Sequence, residues 1–254
     1  GSEMCIRDSG EEEVRLALDL LSNCKRFVLE DCGLSSDVLV KLREDYRDRT
    51  KVVWRVYFGN GTSLTDAEVV RSVYDLKDSN CSELQYLEDV KYADFGHDEY
   101  LNDSSFLSGM KSLEVLIISG SPIKDLSPLS QCKNLRILEI ANCGYITDLS
   151  PLEDCESLEM LNISHTKATE GLSALEERNI THLTAVGGIW NKISQEDRDA
   201  FQEDHPDCWI VTSGNEYGVG WRYEDKETKM EWYEKASEAF KYPHAPNNVG
   251  WYLE

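Results

Sequence analysis

The chain has 254 residues, 26 of them basic and 48 acidic, for a formal net charge of −22. That excess of carboxylates argues against nucleic acid and anionic membrane surfaces as partners, because both repel it. No apolar run is long enough to span a bilayer, so no membrane insertion is expected. Residues 1–10 are set aside as a flexible leader: Gly1-Ser2 reads as a cloning scar and Met4-Cys5-Ile6-Arg7-Asp8-Ser9 as translated adaptor sequence. The next stretch predicts a helix over 11–21, a strand over 27–29, a helix over 36–46 and a strongly apolar strand over 52–58. Residues 61–86 predict a longer return with a helical stretch around 66–76.

From there the chain repeats itself. Leu113-x-x-Leu116-x-Ile118, Leu135-x-x-Leu138-x-Ile140 and Leu158-x-x-Leu161-x-Ile163 start 22 and 23 residues apart. Val90-x-x-Ala93-x-Phe95 precedes them in step, and Ile180-x-x-Leu183 follows. Leu84, Leu107, Leu129 and Leu152 each stand six residues before the next strand's first apolar residue. Two connectors are nearly identical, Asp125-Leu126-Ser127-Pro128-Leu129 and Asp148-Leu149-Ser150-Pro151-Leu152. Proline fixes φ and lacks a donor, so these returns predict short 3₁₀ turns in place of full helices. A period in the twenties headed by L-x-x-L-x-L marks a leucine-rich repeat. One copy cannot bury its apolar edge alone, so copies must stack.

The expected fold class is therefore α/β: a right-handed leucine-rich-repeat solenoid. It should carry a curved parallel β-sheet on the concave face, short 3₁₀ returns on the convex face and helical caps at both ends. Residues 11–86 are expected to form an N-terminal cap with degenerate repeats, 87–193 the regular array and 194–254 a C-terminal cap. The position usually held by a backbone-bonding asparagine is Ser121, Cys143 and Thr166, which thins that ladder. On these residues the chain resembles the internalin-like class of bacterial leucine-rich repeats with a period of roughly 22 residues. It is also similar to a group of repeat proteins from gut Firmicutes, whose tails carry a P-D-C segment followed by G-W-R, here Pro206-Asp207-Cys208 and Gly220-Trp221-Arg222. The resemblance implies a fold and an extracytoplasmic, secreted or cell-surface location, with the cytoplasm as the alternative; it implies no activity.

Eight cysteines do not form a disulfide framework. Cys132 and Cys155 sit at equivalent repeat positions and read as small core hydrophobes; Cys24 and Cys32 are the one pair placed to face each other. In the C-terminal stretch, Ser194-Gln195-Glu196 predicts a helix start and residues 209–212 a last strand. An aromatic-rich tail follows, in which Met230, Tyr233, Ser237 and Phe240 fall at helical spacing, as a cover for the end of the solenoid would require.

Alternation assigns the outward face of the sheet. In L-x-x-L-x-L the leucines point inward, so the residues between them point out. That set is Tyr92 and Asp94, Val115 and Ile117, Ile137 and Glu139, Met160 and Asn162, and His182 with Thr184. Four of them are apolar where a solvated sheet would be polar, and a contiguous apolar patch marks an interaction surface unless a terminal region folds over it. His97, Asn142 and His165 follow the strands. No catalytic motif, metal signature or cofactor fingerprint is present, so no enzyme activity, cofactor or metal is expected. The expected function is a non-catalytic module binding an unknown protein or peptide through Tyr92, Asp94, Val115, Ile117, Ile137, Glu139, Met160, Asn162 and His182, with a monomer as the default state. The alternative is a carbohydrate-binding or cell-surface accessory module using Trp221, Trp232 and Trp251.

Overall fold

A computed structural model describes residues 3–214 and 231–240. The chain divides into two compact units, Gly1–Tyr57 with Thr62–Asp66, and Phe58–Gly61 with Ala67–Glu254.

The first unit alternates strands and helices: β1 (Glu3–Arg7), α1 (Glu11–Leu20), β2 (Arg26–Glu30), α2 (Ser36–Tyr46), β3 (Lys51–Phe58) and β4 (Gly61–Leu64). The sheet runs in the order β1-β2-β3-β4, with β1 and β3 both parallel to β2. Three glutamates occupy the first turn of α1, where the positive helix end favours them, and its Val14 and Leu18, four apart, are fully buried. β3 earns its place through Val52, Val53, Trp54 and Val56, all buried. The leader set aside in the sequence reading contributes a strand: β1 pairs from Glu3↔Arg26 to Arg7↔Glu30. Its ends are tied by an ion pair of Arg7 with Glu30 and one of Arg26 with Glu3 at 2.9 Å. Cys24 and Cys32, the pair that could face each other, are both free thiols.

In the second unit a parallel sheet joins β5 (Val69–Arg71), β6 (Tyr92–Asp94), β7 (Val115–Ile117), β8 (Ile137–Glu139), β9 (Met160–Asn162), β10 (His182–Thr184) and β11 (Trp209–Val211) in sequential order. Where a helical stretch was expected around 66–76, the chain forms β5 instead. Val69 and Val70 are β-branched and lie in register with Tyr92 and Ala93, so one more copy of the repeat is present than the leucine pattern reveals. The middle residue of each strand points inward: Val70, Ala93, Leu116, Leu138, Leu161 and Leu183 are all buried in one row. Leu84, Leu107, Leu129 and Leu152 are likewise buried on the 3₁₀ segments Ser82–Tyr86, Ser105–Gly109, Ser127–Gln131 and Ser150–Asp154. These returns are capped as their sequence requires. The Ser105, Ser127 and Ser150 amides each donate to the aspartate two residues before, Asp103, Asp125 and Asp148, at 2.8 Å.

Two further ladders run through the array. Four residues after each inward position the chain turns with positive φ, at Tyr74, His97, Gly120, Asn142, His165 and Gly187. This left-handed turn favours glycine, asparagine and histidine over β-branched residues. One position later come Asp98, Ser121, Cys143 and Thr166, the thinned asparagine position with one member the sequence reading did not place there. Ser121 Oγ donates to the Phe95 carbonyl at 3.4 Å, Cys143 Sγ to the Ile118 carbonyl at 3.2 Å, and Thr166 Oγ1 to the Ile163 carbonyl at 2.7 Å. Asp98 accepts from the Leu76 amide at 2.9 Å. Burial pushes its carboxyl up to about 7, with Asp75 and Asp94 adding repulsion against the amide bonds that favour the charge. Cys132, Cys143 and Cys155 are free, fully buried thiols, each pushed up to about 12 by burial, as small core hydrophobes would be.

After β10, α3 (Gln195–Asp204) starts where expected, with Ser194 Oγ accepting from the Asp197 amide at 3.0 Å. β11 then pairs with β10, and α4 (Glu231–Phe240) is the last described element.

Candidate binding face

The strand register puts the outward residues into two lines across the sheet. One reads Val69, Tyr92, Val115, Ile137, Met160, His182 and Trp209; the other reads Arg71, Asp94, Ile117, Glu139, Asn162, Thr184 and Val211. All ten residues assigned outward by alternation lie on these two lines. Val115, Ile117, Ile137 and Met160 are neighbours at the centre, as expected.

The centre is covered. Val115, Ile117 and Ile137 have no exposed surface and Met160 has 5%. They form one apolar cluster with Ala236 and Phe240 of α4, with Val69 and Tyr92 packed at its margin. Ala236 and Phe240 are one helical turn apart and so share a face. The Phe240 ring meets Tyr92 edge-on, with centroids 6.3 Å apart. Such an aromatic pair adds about 0.5–1.5 kcal/mol to the burial itself. A ten-residue helix is marginal alone in water, so α4 is held by what it packs against. Of the helical set read from sequence, Phe240 is in the contact, its companion is Ala236, Ser237 is half-buried, and Met230 lies outside the described residues.

Around this centre the polar residues are also buried. Asp94 accepts from Arg71 Nε at 3.2 Å and from the Gly96 amide at 3.1 Å. Ser119 Oγ donates to Glu139 Oε1 at 3.4 Å. Asn162 Oδ1 accepts from the Ser164 amide at 3.0 Å. His182 Nδ1 is 2.9 Å from Thr181 Oγ1, and its ring meets Trp209 edge-on at 5.5 Å. Tyr92 has its hydroxyl pKa raised, first by burial and then by Glu114, against the opposing influence of Lys235 from α4 and Lys91. Lys91 is paired with Glu68 at 2.8 Å, so the margin beside Tyr92 is a rim of mixed charge.

The three residues just past the strands have a conformational role. His97, Asn142 and His165 occupy the left-handed turn, and the His165 ring lies where a Cβ on Gly187 would fall, 2.2 Å from its Nδ1. His97 stacks on Tyr74 at 5.2 Å, and burial lowers its pKa despite the nearby Asp94 and Glu139 carboxylates. Among the described residues, no group of three or more histidine, cysteine or carboxylate side chains is placed to hold a metal ion. Val69 and Arg71 of β5 and Trp209 and Val211 of β11 are members of the face that sequence reading missed; for β5 the 23-residue offset from Tyr92 was the available signal. Trp221 and Trp251 lie outside the described residues. Trp232 belongs to α4, but its side chain is not among those described.

A family model described as leucine-rich repeats (2 copies) matches residues 111–154. Solved structures similar to the chain include an internalin of Listeria monocytogenes at 16% identity and a TM-score of 0.38, covering 78% of this chain and 70% of that one. Internalin C2 of the same organism is similar at 17% identity and a TM-score of 0.35, covering 61% and 67%. A leucine-rich-repeat protein of Leptospira interrogans is similar at 19% identity with a TM-score of 0.52; the match covers 75% of this chain and 49% of that one. No curated protein matches the chain. No helix among the described residues is long and apolar enough to cross a membrane.

Proposed function

We propose that this leucine-rich-repeat protein of bacterial type is a non-catalytic module that binds a protein or peptide on the outward face of its array sheet. Val115, Ile117, Ile137 and Met160 form the anchor, with Tyr92, Asp94, Glu139, Asn162 and His182 around it. The carrying observation is that these four apolar residues adjoin one another on the one face that stacking of the repeats does not itself bury. An antiparallel or solvated sheet face would alternate to polar residues there, and the returns already fill the inward side. An apolar centre with a polar margin is the usual anatomy of a recognition surface. The net charge of −22 favours a partner of neutral or basic surface.

A quantitative capture from bacterial lysate and spent medium tests this, comparing wild type with a Val115→Glu/Ile137→Glu chain checked to be folded. A protein retained by wild type and lost by the double variant supports the face as its seat. Equal retention by both moves the site elsewhere on the molecule.

A further inference from the structure

We infer that α4 is an occupant of the binding face as well as its cover, and that the external partner is an amphipathic helix competing for the same seat. This rests on the reading of the outward face as a binding surface and adds the chemistry of what it takes. The inward row, Leu116, Leu138 and Leu161 among it, points to the other side of the sheet from the residues that α4 joins. By contrast α4 lies over β5 and β6 and joins the outward apolar centre through Ala236 and Phe240. What the centre accepts from α4 is a small residue and an aromatic one turn apart, Ala236 and Phe240. The small residue lets the helix approach the sheet closely while the ring fills the hollow against Tyr92. Lys235 is exposed and acts on the Tyr92 hydroxyl beside Glu68 and Glu114, so a cation just before the small residue suits the rim.

These features define the partner's chemistry: a helix reading basic-small-x-x-x-aromatic along one side. The pattern is the helix-in-groove mode, with α4 as its internal copy. Residues 215–230 tie α4 covalently to the array, so its local concentration exceeds that of a free ligand, and the face is closed until a better helix competes.

The probe is a fluorescein-labelled peptide of residues 229–242, with a scrambled peptide of the same composition as control, titrated by anisotropy against the full chain. Phe240→Glu removes the internal competitor and leaves the face intact. The peptide is expected to bind the Phe240→Glu chain about tenfold or more tighter than wild type. Adding Ile137→Glu should abolish that binding, and the scrambled peptide should not bind. Equal affinity for wild type and Phe240→Glu would overturn internal competition. Binding that survives Ile137→Glu would overturn the seat, and no binding to the Phe240→Glu chain would overturn helix recognition. Unfolding of the array in both Phe240→Glu and the milder Phe240→Ser would make α4 part of the core and overturn the proposal as well. Capture of a partner with no peptide binding would leave the face a binding surface and sink only the helix reading. Peptide binding with no captured partner would do the reverse.

Discussion

Ile137 and Leu138 are adjacent, both fully buried, and buried for different reasons. Leu138 sits in the inward row between Leu116 and Leu161 and is covered by the neighbouring repeats and their returns. It cannot meet water unless the array itself comes apart. Ile137 sits on the opposite face between Val115 and Met160, and its cover includes α4, a ten-residue helix from a different part of the chain. On the reading of α4 as an internal occupant, it meets water when that helix lifts, with the array still folded. Equal static exposure therefore hides two different free energies of opening, one global and one local.

The most direct way to break this comparison is to put a thiol at each site. Ile137→Cys and Leu138→Cys chains are labelled with a thiol reagent under native conditions, with Cys132, Cys143 and Cys155 as internal references. Those buried thiols are pushed up to about 12 and should label only when the array opens. Cysteine at 138 is expected to label with them; cysteine at 137 should label on the order of a hundredfold faster, through undocking of α4. Equal rates would mean that α4 and the array open together.

Truncation sharpens the same contrast in energy. Leu138→Ala should destabilise the array by about 2–5 kcal/mol, the range for a leucine removed from a packed core. Ile137→Ala should cost less in the denaturant midpoint. Once the helix has undocked, residue 137 faces solvent in either variant, so the loss is bounded by what docking contributes. A loss at 137 equal to that at 138 would make the outward face as obligatory as the inward one.

The difference between the faces also explains what sequence could and could not reveal. Leu113, Leu135 and Leu158 announce the repeat because the array needs the same residue at the same place in each copy. β5 escaped because Ala67 and Ser72 stand where most other copies have larger apolar residues, yet Val69–Arg71 still pair with β6. The apolar outward residues were legible for a different reason: Val115, Ile117 and Ile137 break an alternation that the fold otherwise enforces. That something must touch them follows from the sequence; that Ala236 touches them does not, because alanine at a helical contact carries little apolar signal. The role of His97, Asn142 and His165 was hidden likewise. Three polar residues near a face suggest chemistry, while a shared left-handed φ needs the backbone to be seen.

Inside the array the comparison continues between a titrating and a silent member of one ladder. Asp98 holds the position that Ser121, Cys143 and Thr166 hold in later repeats, and its folded-state pKa is raised from 3.8 to about 7. A raised folded pKa means that the folded chain binds the proton more tightly than the unfolded one. Asp98 therefore contributes stability fully below about 4, and the contribution is lost as pH rises through about 7. Wild type should show a denaturation midpoint falling across that window. Asp98→Asn keeps an acceptor oxygen for the Leu76 amide, bound at 2.9 Å in wild type, and should flatten the fall. An unchanged slope in the Asn variant would place the pH dependence in other groups.

The smallest expected effect lies on the returns. Asp148 accepts from the Ser150 amide at 2.8 Å and the Ser150 hydroxyl at 2.7 Å, and these bonds hold its carboxyl below the usual aspartate value. The Asp125 carboxylate caps the preceding return through the Ser127 amide at 2.8 Å. Both caps are exposed, so each is worth roughly 0.5–2 kcal/mol. Asp148→Ala should then cost about 1 kcal/mol, with Asp125→Ala slightly less, both read from denaturant midpoints at neutral pH. The loss should appear equally in the global transition and in labelling at position 138, since the returns support the inward row. It should lower the ratio of labelling at 137 to that at 138, because the array weakens while the docking of α4 on the opposite face does not. A cap mutation that instead accelerated labelling at 137 and spared 138 would mean that the returns and the outward face are coupled, and the two sides of the sheet would no longer be independent.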